Sequence, residues 1–69
     1  MGNEKYTVLI NMMDGVESKL DSVAMDVGRA KMLADARGCE EAWILSHIFR
    51  ELTNTRALIA MLIDEMNNN

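Results

Sequence analysis

Cys39 and His47 are the only thiol and the only imidazole in this chain of 69 residues, so any nucleophilic chemistry would start from them. A cysteine nucleophile needs a base within hydrogen-bond reach. His47 lies eight residues on, about 12 Å along a helix axis, too far for a direct bond within one helix. Glu40 and Glu41 follow Cys39 directly, and their charge opposes a second anion beside them. A zinc site needs a tetrahedral set, which one Cys and one His do not supply unless a dimer brings two copies together. Asp21, Asp26, Asp35 and Glu51 fall on faces that read as solvated, and no Glu-x-x-His pair of the kind used in di-iron bundles occurs. There is no Gly-rich phosphate loop. The expectation is no catalytic residue, no cofactor, no metal and no enzyme.

What remains is a chain that must be positioned for contact rather than for reaction. At this length a single domain buries only about 60% of its unfolded surface. A lone cysteine rules out a disulfide framework, which leaves helix packing or self-association as the source of stability. The composition is 49% hydrophobic, with seven methionines, three aromatics and no proline, which suits helices far better than sheets. Net charge is -4, with no Lys/Arg run or basic stripe, so binding to a phosphate backbone lacks its usual electrostatic source. No basic segment precedes an apolar one as in a leader, and no apolar run approaches the roughly 20 residues of a membrane span. The expected setting is the reducing cytoplasm, with Cys39 free, no nucleic acid and no membrane.

Hydrophobic spacing predicts two helices. Apolar or small residues at Leu9, Met13, Val16, Leu20, Val23, Val27, Ala30 and Ala34 alternate in steps of four and three, and so do Leu45, Ile48, Leu52, Thr55, Ile59, Leu62 and Met66. Between the two runs, "DARGCEE" combines Arg37, Gly38 and two glutamates, the residue types of a helix end followed by a helix start. The predicted architecture is all-α: a single antiparallel two-helix hairpin, with helix 1 over about residues 4 to 36, a turn at 37 to 39, helix 2 over about 40 to 66 and a polar tail at 67 to 69. Dimerisation into a four-helix bundle is the expected assembly. One alternative stays open: Asp14 and Glu17 form a capping box around Gly15 that would start helix 1 near residue 15 instead.

A helical wheel leaves apolar surface over. Leu20, Val23, Val27, Leu45, Ile48, Leu52, Ile59 and Leu62 form the expected hairpin core, with Leu58 and Ile63 flanking it toward a second copy. On the back of helix 2, Trp43, His47, Arg50, Asn54, Ala57 and Met61 make a heptad-spaced row, where Lys, Glu and Gln would normally stand. Trp and Arg are the types most enriched among interface hot spots, and Met adapts to irregular partners. Trp43, His47, Arg50 and Met61 are therefore the candidate partner-binding residues, with Met25, Arg29 and Met32 on helix 1 as a second group. The same row would also serve as a dimer contact, and the sequence leaves both roles open.

In "IFRELTNTRALIAML", Ile48, Phe49, Glu51, Ala57 and Leu58 repeat a pattern of bulky apolar residue, Glu, then Ala-Leu. With the hairpin layout over nearly the whole chain, this resembles the small helical-hairpin proteins of Pseudomonas phages and prophages, the anti-quorum-sensing (Aqs) group. The resemblance implies a dimer of hairpins that inhibits host proteins by direct binding, such as a quorum-sensing transcriptional activator or a pilus-assembly ATPase. The plasmid Rop hairpin is similar in architecture, but no basic stripe here matches its RNA-binding face. The expected function is a non-enzymatic inhibitor of one or more host proteins. A small transcriptional or nucleic-acid-associated regulator and a purely structural oligomer are the alternatives.

Overall fold

Gly38 sets where the chain reverses. In the computed structural model, which describes residues 4–68, it takes φ +68°, a conformation costly for any residue with a Cβ. The N–H of Gly38 donates to the Asp35 carbonyl at 3.1 Å and that of Cys39 to the Ala34 carbonyl at 2.9 Å. These two bonds make a Schellman motif and satisfy the last carbonyls of the helix before it. The Ala42 N–H then donates to the Cys39 carbonyl and the Ile44 N–H to that of Glu41, winding the second helix at once.

The result is helix α1, Thr7–Ala36, entered through a 3-10 turn at Glu4–Tyr6, and helix α2, Ala42–Asn67. The two pack against each other as a hairpin, 55 × 14 × 10 Å in extent. α1 runs through Gly15 without a break, so Asp14 lies inside the helix rather than at its start. Of the expected polar tail, Asn67 closes α2, Asn68 caps it, and Asn69 lies outside the described residues.

The seam between the helices is turned by one column from the sequence expectation. The shielded positions of α1 are Ile10, Met13, Glu17, Leu20, Ala24, Val27, Gly28, Lys31 and Ala34. Met13, Leu20, Val27 and Ala34 belong to the expected seam, but Leu9, Val16, Val23 and Ala30 lie exposed beside it. α2 repeats the shift. Leu45, Leu52, Ile59 and Met66 are shielded, joined by Ala42, Ser46, Arg56 and Ile63, while Ile48, Thr55 and Leu62 stay outside. Ile63 thus sits in the hairpin seam rather than widening it, and Leu58 is exposed.

Close approach explains the choice of column. Ala24 and Ala42 are buried, and the Phe49 ring lies over Gly28, 3.5 Å from where a Cβ would stand. Small residues let the helix backbones come near, and Glu17, Lys31 and Arg56, all half-buried, fill the seam with the apolar stems of their long side chains. Val16, Val23, Ile48 and Leu62 would hold the helices further apart. Among the described residues, only Ile59 and Met66 are large apolar side chains that the hairpin buries, at 8% and 5% exposure.

Candidate interaction surfaces

An antiparallel pair of helices with heptad spacing has two broad faces, because equivalent columns of both helices fall on the same side of the seam. One face carries Asp14, Asp21, Gly28 and Asp35 from α1 with Ser46, Thr53, Ala60 and Asn67 from α2. It is polar and acidic. Arg56 reaches across its edge to Asp21, Nη2 to Oδ1 at 2.9 Å, the one ion pair between the helices among the described residues. An open hollow lined by Glu17, Ala60, Met61, Ile63, Asp64 and Asn67 lies toward its end. The opposite face carries Leu9, Val16, Val23 and Ala30 with Ile48, Thr55 and Leu62, and beyond them Met12, Leu33, Ile44 and Leu58 at its rims.

The candidate partner-binding residues lie on neither face but on the outer backs. Trp43 is 71% exposed, and His47 and Arg50 follow it at helical spacing of four and seven, so the three form one contiguous patch beside the turn. Met61 is also exposed, but it lies eleven residues beyond Arg50, about 16 Å along the axis, and belongs to a separate part of the row. Met25, Arg29 and Met32 are exposed on the outside of α1. Arg29 is paired with Asp26 at 3.5 Å, and this group stands on the other helix from the Trp43 patch. The structure therefore joins Trp43, His47 and Arg50 and does not join them to Met25, Arg29, Met32 or Met61.

Further exposed apolar side chains were not singled out from the sequence: Val8, Met12, Leu33 and Ile44. Met12, Leu33, Ile44 and Leu58 occupy one heptad column on each helix, next to the exposed Val23 and Ile48 columns, so a count of three adjacent apolar columns instead of two would have found most of them. Elsewhere, Lys31 Nζ meets Asp35 Oδ2 at 2.8 Å, one helical turn on, and Lys5 Nζ stands 5.0 Å above the Tyr6 ring near the open end. Cys39 is exposed at the turn. Among the described residues, no three His, Cys, Asp or Glu side chains gather as a metal site would need, and no helix is long and apolar enough to cross a membrane.

No protein-family model matches this sequence, and neither curated proteins nor solved structures give a match.

Proposed function

We propose that this hairpin is a cytoplasmic, dimeric interaction protein without enzymatic activity, which binds another protein through the Trp43–His47–Arg50 patch and blocks it. The observation that carries this reading is the exposure of Trp43. Trp43 presents most of a large apolar ring to water, and Trp and Arg are the residues that most often anchor protein contacts. The resemblance to phage anti-quorum-sensing hairpins gives the first targets to try, a quorum-sensing activator and a pilus-assembly ATPase of a bacterial host.

The test is affinity capture from host lysate, identification of the stoichiometric partner by mass spectrometry, and titration of the purified pair. Trp43→Ala and Arg50→Ala should each weaken binding by about 2 kcal/mol, roughly 30-fold, with helical content unchanged. Unaltered affinity in both variants would show that the patch is not the binding face. A mobility shift with DNA or RNA at moderate salt should show no complex, in keeping with the net charge of -4.

A further inference from the structure

The hairpin by itself leaves too much surface in water. Its accessible area is 5250 Å², whereas a compact monomer of 7.8 kDa exposes about 4,400 Å². The excess, roughly 850 Å², is close to the 800 Å² or so that each partner hides in a standard interface. The radius of gyration agrees: 15.9 Å against about 11 Å for a compact chain of this length. The uncovered apolar area has a definite place. Val23 is 45% exposed, Leu9, Ile48 and Leu62 are comparable, and all four lie on the same face, opposite the acidic one. Leu20, Val27, Leu45 and Leu52, the seam columns next to that face, are shielded but not fully buried by the hairpin.

We propose that a second copy of this chain covers that face, with α1 antiparallel to α1 of the second copy and α2 antiparallel to its α2, so that the two turns lie at opposite ends of a four-helix bundle. Self-pairing fits because the face runs the length of the hairpin. Any two-fold arrangement also places Leu20 or Leu52, now incompletely buried, toward the bundle axis. The acidic face cannot serve, since it would set Asp14, Asp21 and Asp35 against their own copies or against uncharged Ser46 and Thr53.

Charges at the rim select the arrangement. The rim column of α1 reads Met12, Lys19, Asp26, Leu33, and that of α2 reads Ile44, Glu51, Leu58, Glu65. With α1 against α1 of the second copy, the heptad register that packs Leu20 on the other Val23 also brings Lys19 beside the other Asp26, twice by symmetry, and Met12 beside the other Leu33. Sliding by one heptad either way would face Lys19 with Lys19 or Asp26 with Asp26. The other two-fold arrangement, α1 against α2 of the second copy, keeps residues at equal heights and faces Asp26 with Glu51 at both rims. Like charges so placed are unfavourable, and rim charges set partner orientation in helical bundles.

This inference rests on reading the chain as dimeric and deepens it by naming the face, so its test uses the purified chain alone, where the Trp43 patch plays no part. Sedimentation at micromolar concentration should give twice the mass of one chain for the native protein and for Trp43→Ala. Val23→Glu should weaken association more than 100-fold with helicity kept, because Val23 lies outside the hairpin seam, whereas Thr53→Lys on the opposite face should leave it intact. Orientation is read by charge reversal at low salt. Asp26→Lys should weaken the dimer on the order of 10-fold, and Lys19→Glu combined with Asp26→Lys should restore it. A monomeric native chain, or a dimer that survives Val23→Glu, overturns the face. A dimer tightened or left unchanged by Asp26→Lys overturns the arrangement.

Discussion

Replacing Arg56 with leucine should make this protein more stable, although it removes the ion pair that links the two helices. Arg56 stands in the seam column between Leu52 and Ile59. Its Nη2 reaches Asp21 at 2.9 Å, but both side chains keep a third or more of their surface in water, at 36% and 54%. Double-mutant cycles on such exposed pairs give only about 0.2–1 kcal/mol. Against this, the Arg56 Nε is shielded from solvent and finds no hydrogen-bond acceptor among the described residues, and an unsatisfied buried donor costs about 1–3 kcal/mol. Leucine keeps the apolar stem and removes the donor, so the net gain is about 1 kcal/mol. For a domain of this size that raises the thermal midpoint by about 4–8 °C. The assay is thermal unfolding followed by helical circular dichroism at one fixed chain concentration, because dimerisation would make the midpoint depend on concentration. Asp21→Asn is the companion variant: it loses the pair without removing the donor and should lower the midpoint by a few degrees. If Arg56→Leu melts as low as Asp21→Asn or lower, the ion pair outweighs the stranded nitrogen and the reasoning fails.

Two further perturbations follow from backbone and burial. Gly15 lies on the outside of α1, where an added Cβ would meet nothing within 4 Å, so Gly15→Ala should add about 0.5–1 kcal/mol. Gly38→Ala, at φ +68°, should cost about 1–2 kcal/mol; equal responses from the two glycines in urea titrations would contradict the turn geometry. Ile59→Ala should cost about 2–5 kcal/mol, since Ile59 is buried. Ser22→Ala, exposed on the outside of α1, should move the unfolding free energy by no more than about 0.5 kcal/mol.

The hairpin was legible because two features agreed: the three-and-four spacing fixed the helices, and Gly38 fixed the break between them. Continuation of α1 through Gly15 followed from the same spacing, which kept its phase from Leu9 onward. Which columns would meet was not legible. Each helix carries three adjacent apolar or small columns, and hydrophobicity favours the one with Val16 and Val23 over the one with Glu17, Ala24 and Lys31. The hairpin uses the latter because Ala24, Ala42 and Gly28 allow a shorter separation, a property of size and distance that a helical wheel does not weigh. The place of Trp43 on the back of α2 was legible from the wheel, but the wheel left open whether anything packs against it; in the hairpin it is 71% exposed. The grouping of Trp43 with Arg50 but not with Met61 required only the rise per residue, which a wheel projects away.

The tight reversal around Gly38 also sets how quickly the fold can form. Ala34 and Ala42 are brought together by closing a loop of only a few residues, which costs little chain entropy. Each successive pair toward the open end then adds to contacts already made, so the helices can zip outward from the turn. Such local ordering belongs to the fastest class of folding reactions, on the order of microseconds to milliseconds. Zipping from the turn would divide the chain kinetically: changes at Gly38 or Ala34 should act on the rate of folding, and changes at Met66 or Tyr6, at the open end, on the rate of unfolding.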